Sequence, residues 1–370
     1  YPYRHFSAAI GKRERIAIEE HRAIIQALAD KATDRVEKLV REHTEKAVEP
    51  PKQKVLITQA IHESGVKILE DDYEVKVADD CSVEGLKREV KDAHGIIART
   101  APVPKEVIDA APNLQVIGRH GVGVDNIDVA AATARGIPVV FTPNANALSV
   151  AEWTLMAISA LAKGLLIYDK ATRAGQWERR NEYTIVDLDQ KTLGLVGIGR
   201  IGSLVATKAQ AAFNMKVLGY DPYINPERAE ELGVSLCDSL EEVLRESDFV
   251  SLHLPLTPES RGLIGKEELA LLKPTSFLIN AARGGIVDED ALVEALKSGK
   301  LAGAALDVFA QEPPPKDHPF WELDNLIVAP HIAALTIECV IRMATTVARN
   351  VRDVLEGRKP EFVVNPEVYK

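Results

Sequence analysis

Cysteine is scarce: Cys81, Cys237 and Cys339 are odd in number and far apart in the 370 residues. That pattern excludes a disulfide framework and a cysteine-based zinc cluster, and it fits a reducing compartment, the cytoplasm. Positive charge is also in short supply, with 45 Lys and Arg against 55 Asp and Glu for a net charge of −10. No global basic field exists to hold nucleic acid or an anionic membrane, so neither partner is expected, and a small anionic ligand needs a local positive pocket. No apolar run approaches the length of a membrane span, and the N-terminus shows no signal-peptide core ahead of a cleavage site. The chain opens on Tyr1 rather than Met, so it is expected to be processed or incomplete upstream. Repeats of 20 to 50 residues are absent, and Pro313-Pro-Pro315 is the sole low-complexity tract.

What is present centres on residues 193 to 221. The apolar run Leu193 to Val196 suits a buried parallel strand, and Gly197, Gly199 and Gly202 fit G-x-G-x-x-G before a helical stretch through Phe213. Gly197 permits the tight turn, Gly199 lets backbone approach a pyrophosphate, and Gly202 lets the helix pack on the strand with its N-terminus toward the phosphates. The helical stretch is read over Ser203 to Phe213, and Arg200 and Ile201, inside the motif, are assigned to cofactor binding. Asp221 follows Gly202 after about 20 residues, where a carboxylate accepts hydrogen bonds from ribose hydroxyls. A 2′-phosphate would meet Asp221 as like charge, and Pro222-Tyr223-Ile224 supply no arginine, so the spacing predicts NAD.

From Lys54 on, short apolar runs alternate with helical stretches in the rhythm of βα units on parallel sheets. The fold class expected is α/β, with two doubly wound parallel-sheet domains, one flavodoxin-like for substrate and one Rossmann domain for NAD. Residues 52–149 and 336–370 are assigned to the first, which is then discontinuous, and 150–335 to the second. Asn146 to Ala174 reads as one long helix, with Ser149 and Glu152 near its start, and its mostly apolar surface predicts a homodimer. Thr336 to Leu355 reads as a last helix that crosses back onto the first domain.

Three positions just after strand ends of the second domain carry chemistry: Arg283, Glu312 and His331. Arginine offers a planar fork for a carboxylate, histidine exchanges a proton near neutral pH, and a glutamate beside it favours the protonated ring. Together they are the parts for reducing a 2-keto acid: hold the carboxylate, protonate the carbonyl oxygen, and receive hydride from a nicotinamide.

The motifs Gly197-x-Gly-x-x-Gly202, Asn280-Ala-Ala-Arg-Gly-Gly-Ile-Val-Asp-Glu289, Gly303-Ala-Ala-Leu-Asp-Val-Phe-Ala-Gln-Glu-Pro313 and Ala329-Pro-His-Ile332 resemble the D-isomer-specific 2-hydroxyacid dehydrogenase family, especially its D-3-phosphoglycerate dehydrogenase branch. The resemblance runs from about Lys54 to the C-terminus. It implies that Arg283 binds the substrate carboxylate and carbonyl, that His331 is the general acid/base, and that Glu312 orients and charges it. By the same resemblance Asp307 holds the nicotinamide amide, Asp221 the ribose, and Arg99 contacts substrate. Within Gly118-Arg-His-Gly-Val-Gly-Val-Asp-Asn126, the backbone of Gly121, Val122 and Gly123 receives the substrate carboxylate.

The sequence departs from the family at His120, in place of a common small residue, and at Ala333 and Ala334, where glycines are frequent. His120, Trp153 and Trp177 are assigned to packing or pocket shape. A serine-responsive regulatory domain is not expected, since the chain ends soon after the crossing helix. The substrate is a small 2-keto or 2-hydroxy acid. 3-Phosphoglycerate/phosphohydroxypyruvate comes first, with glyoxylate or hydroxypyruvate as rivals. An NAD-sensing, corepressor-like protein without turnover is the alternative class.

Residues 1–49 are assigned to a helical appendage, in which 7–47 carry mixed charge and apolar positions such as Ile16, Ile24, Ile25, Leu28, Val36, Leu39 and Val40 at helical spacings, predicting two helices meeting near Asp30. Glu20-His21-Arg-Ala-Ile-Ile-Gln-Ala-Leu, Asp30 and Leu39-Val-Arg-Glu-His43 resemble the last two helices of the ligand-binding domain of FadR-type GntR regulators. In that family the matching histidines help hold a metal ion. Here the resemblance covers about forty residues without the other ligands, so a helical appendage and no metal are expected. Pro50-Pro51 marks the linker.

Overall fold

A computed structural model of the chain describes residues 19–30, 32–47 and 52–370, the side chains of 43–47 excepted. It divides into two units, residues up to Gln53 with Asp72–Glu74, and the remainder. In the first unit, residues 19–29 and Thr33–Ala47 are helical and Asp30 forms the turn between them. There the Gln26 side-chain amide donates to Asp30 at 3.0 Å. The expected apolar position Ile16 and the His43 side chain lie outside what is described.

The second unit holds two sheets. The first contains β1 (Lys54–Ile57), β2 (Glu74–Val77), β3 (Gly95–Ala98), β4 (Val116–Arg119) and β5 (Val139–Val140), in the order β2-β1-β3-β4-β5. The second contains β6 (Thr192–Val196), β7 (Lys216–Tyr220), β8 (Ser235–Leu236), β9 (Phe249–Leu252), β10 (Phe277–Asn280), β11 (Gly303–Leu306) and β12 (Leu326–Val328), in the order β12-β11-β10-β9-β6-β7-β8. Its pairs are parallel throughout. The central strands β3, β9, β10 and β11 are buried along their whole length, which is why they read as continuous apolar runs rather than alternating ones. The short edge strand β8, exposed at both residues, gave no such run and was not anticipated.

The last helix, Ile337–Leu355, lies on the first sheet rather than the second. Gly65 lets it approach, since a Cβ there would sit 2.6 Å from the Ala344 carbonyl oxygen. The two chain crossings between the sheets are tied together: Ser149 Oγ lies 2.9 Å from Thr336 Oγ1, and Arg342 Nε donates to the Ala145 carbonyl at 2.9 Å. Thr336 also caps the last helix through the Cys339 N–H.

Two expectations need correction. The stretch Asn146 to Ala174 is two helices, Ala147–Ala162 and Leu165–Arg173, bent by 60°. Gly164 adopts φ +58°, a left-handed conformation that ends a helix and that its neighbours would resist. Trp177 does not pack: it is 69% exposed. Among the described residues no single helix is long and apolar enough to cross a membrane.

Candidate active site

In the second sheet, β7 and β9 flank β6, so connections leave β6 in opposite directions and open a crevice at its C-terminal end. The glycine loop fills that position. Gly197 has φ +91°, and a Cβ there would lie 2.6 Å from the His253 carbonyl oxygen. A Cβ at Gly202 would lie 2.4 Å from the Gly197 oxygen, so helix Arg200–Phe213 can only sit this close to the loop without one. Gly199 faces open space instead, with nothing within 4 Å of its Cβ position. No side chain caps this helix, which leaves its first N–H groups, at Arg200 and Ile201, pointing outward. Asp221 accepts the Ile198 N–H at 2.8 Å and the Tyr223 N–H at 2.9 Å, and each carboxylate oxygen retains lone-pair capacity. An open cradle, free helical N–H groups and an ordered acid fit a dinucleotide.

Arg283, Glu312 and His331 emerge from the loops after β10, β11 and β12. His331 Nδ1 and Glu312 Oε2 are 2.8 Å apart. The other Glu312 oxygen accepts the Phe309 N–H at 3.1 Å, which aims the carboxylate. Burial raises the Glu312 carboxyl, but bonds from His331 and Phe309 and the charges of His331 and Arg283 outweigh it, holding the group below its ordinary range. His331 has φ +54°, a left-handed conformation that costs a non-glycine residue on the order of 1 kcal/mol. The strain is held by Asp307, whose two oxygens accept the Ile332 and Ala333 N–H groups at 2.8 Å each. Asp307 is 1% exposed, and burial raises its carboxyl above the usual value.

The other wall comes from the first sheet. Arg99 follows β3 and donates to the Ala60 carbonyl at 3.3 Å. Arg119 ends β4 and folds back, with Nε on the Gly123 carbonyl and Nη1 on the His120 carbonyl, both at 2.5 Å. Burial first, then the charges of Arg283 and Arg99, with Asp125 opposing, push Arg119 down to about 10, still cationic at neutral pH. Arg119 was not singled out from the sequence, although it lies inside the quoted loop; its charge is legible there, its direction is not.

Of the three expected backbone donors, Gly121 is already used, its N–H bonding the Arg119 carbonyl at 3.0 Å. Among the described residues Val122 and Gly123 retain theirs. Arg283 reaches this loop: its Nε contacts Asp125 Oδ2 at 3.2 Å, and a Cβ at Gly123 would fall 1.7 Å from its Nη2. Asp125 was a further omission, visible only once the two sheets face each other. His120 points inward, 5% exposed with Nε2 unpartnered, and burial, then Arg99 and Arg119, lower it to about 4. It shapes the loop from behind, as a neutral ring.

Residues 155–333 match the model of the NAD binding domain of D-isomer specific 2-hydroxyacid dehydrogenases. The chain is 47% identical over 313 residues to D-3-phosphoglycerate dehydrogenase of Methanocaldococcus jannaschii, a match covering 84% of this chain and 59% of that protein. The chain thus spans little more than half the length of such relatives. Against glyoxylate reductase of Thermofilum pendens the identity is 43% over 325 residues, covering 86% of this chain and 96% of the relative. The solved structure of TT0316 protein from Thermus thermophilus superposes with a TM-score of 0.79 at 38% identity, covering 84% of this chain and all of that one. Crevice, cradle and matches agree, and the chain belongs to the D-isomer specific 2-hydroxyacid dehydrogenase family.

Proposed function

We propose that this protein is an NAD-dependent dehydrogenase interconverting a small 2-keto acid and its D-2-hydroxy acid. The observation that carries the reading is the 2.8 Å His331–Glu312 pair set beside Arg283 at the mouth of a dinucleotide cradle. In this reading residues 150–335 bind NAD, and 52–149 with 336–370 bind the acid. Gly197, Gly199, Arg200, Ile201 and Gly202 hold the pyrophosphate, Asp221 the ribose, and Asp307 the nicotinamide amide through its spare lone pairs. NADH, when bound, supplies the hydride. Arg283 and the N–H groups of Val122 and Gly123 hold the substrate carboxylate, with Gly121 shaping the turn. Because Glu312 occupies Nδ1, His331 presents Nε2 to the carbonyl oxygen and donates its proton in reduction; in oxidation the neutral ring takes that proton back.

The grouping of Arg99, Arg119 and Arg283 around one loop supports an acid with more than one negative charge, so 3-phosphoglycerate/phosphohydroxypyruvate is the first substrate proposed. The near full-length similarity to a glyoxylate reductase supports glyoxylate or hydroxypyruvate as the second. Free cysteines fit the cytoplasm, and the exposed apolar surface between residues 148 and 185 fits a homodimer. A panel of keto acids followed by NADH absorbance is the test. Turnover of phosphohydroxypyruvate with NADH preferred over NADPH is expected. NADH binding without turnover of any acid would instead support the NAD-sensing alternative, and a wide preference for NADPH would overturn the role given to Asp221.

A further inference from the structure

Behind the His331–Glu312 pair lies a second carboxylate and imidazole that the reaction does not use. Glu289, first residue of helix Glu289–Lys297, accepts the Ala310 N–H on Oε1 at 2.7 Å, and its Oε2 is 3.3 Å from Nε2 of His318. Both side chains are largely withdrawn from water, 19% and 11% exposed respectively. His318 Nδ1 accepts the Phe320 N–H at 3.3 Å, so in this ring the proton sits on Nε2, facing Glu289. Glu289 is therefore a double acceptor between a backbone donor and a ring donor. The ring itself is fixed edge-on to Phe309 at 6.2 Å and lies 4.4 Å from Phe320.

The loop gripped by Glu289 carries the carboxylate that faces His331. Along residues 309–312, the Phe309 N–H binds Glu312 and the Ala310 N–H binds Glu289. The Phe309 carbonyl oxygen is pressed against Gly284, where a Cβ would come within 1.7 Å of it, and Gly284 adjoins Arg283. One short loop thus touches the supports of Arg283, Glu312 and, through Glu312, His331. A carboxylate is needed at position 289 because both its neighbours donate; an amide could accept from one and would oppose the other with its own N–H.

We propose that Glu289 and His318 are a positioning pair that holds the 309–312 loop, and through it Glu312, in register with His331. The inference rests on the assignment of His331 and Glu312 as the acid/base pair. Glu312 is the carboxylate bonded to His331, whereas Glu289 bonds the Ala310 N–H and His318, so its action on His331 runs through the loop.

The test uses the full chain with Glu289→Gln and, separately, His318→Phe, which keeps the ring packing but deletes the donor. Three quantities are read: kcat and KM for the best keto acid of the panel, the thermal midpoint, and the His331 imidazole titration by NMR, assigned with His331→Asn. Glu289→Gln is expected to lower kcat on the order of tenfold, the cost of a small misplacement of the acid/base pair. KM is expected to change less than kcat, since no group that contacts substrate is replaced, and the His331 titration should move to lower pH, the direction also expected for Glu312→Gln. His318→Phe should do the same to a lesser degree, and it carries the test if Glu289→Gln does not fold. An unmoved His331 titration in folded variants, with or without a lower thermal midpoint, would overturn the pairing. A shifted titration in a protein that reduces no acid would uphold the pairing and sink the reaction assignment instead.

Discussion

Glu312 meets two donors with two oxygens, the Phe309 N–H and His331 Nδ1, and that division of labour makes its charge useful. Held below its ordinary range, it stays ionised through neutral pH, so a negative charge always faces the ring. In the proposed reaction, reduction needs a proton on His331 and oxidation needs the ring without it, so the two directions depend oppositely on pH. Glu312→Gln removes the charge but keeps an acceptor. The upper limb of the reduction profile should move to lower pH, and the lower limb of the oxidation profile should move the same way. If reduction rates across pH 5 to 9, with chemistry rate-limiting, trace the same limb in both proteins, the pairing has no catalytic consequence.

At the scale of the element, the turn between β6 and helix Arg200–Phe213 separates two duties of glycine that the motif alone merges. Gly202 is packed against backbone, whereas Gly199 borders open space at an ordinary φ of −72°. Gly202→Ala should therefore destabilise the fold by about 1–3 kcal/mol through overpacking. Gly199→Ala should leave the thermal midpoint near that of the parent yet weaken NADH binding by roughly tenfold, about 1.4 kcal/mol, because its methyl enters the space a pyrophosphate would use. Calorimetry of both variants, thermal and by NADH titration, checks the split. Equal loss of stability in the two would mean the cradle is packed rather than open. The break at Gly164 has the same origin: one left-handed glycine turned a predicted continuous helix into two.

On the whole molecule, apolar side chains on either side of the bend at Gly164 face solvent. Met156, Leu166 and Trp177 are 48%, 52% and 69% exposed. A groove between helices Ala147–Ala162 and Arg200–Phe213 is lined by Leu155, Met156, Ala211, Ala212 and Phe213 together with the polar Glu152, Ser159 and Lys208. A second copy of the chain, related by a two-fold axis, is the occupant we propose for this surface. Sedimentation at micromolar concentration should give a dimer, and Met156→Glu should shift it toward monomer by burying an unpaired charge. A monodisperse wild-type monomer would remove the proposal.

The strands with both faces buried, the glycine loop, Asp221 and the trio Arg283, Glu312 and His331 were legible in the amino-acid order. Each is a local signal, whether an unbroken apolar run, a spacing set by phosphate geometry or a charged residue just past a strand end. The break at Gly164 and the exposure of Trp177 were not, because helix periodicity continues across a glycine until its φ is known, and a tryptophan reads as core until its neighbours are placed. The inward aim of His120, the reach of Asp125 to Arg283 across 158 residues, and the meeting of Glu289 with Ala310 and His318 were decided only by tertiary structure. Sequence spacing determines which side chains share a strand end or a helix turn; which donor meets which acceptor depends on loops brought together by the packing of two sheets.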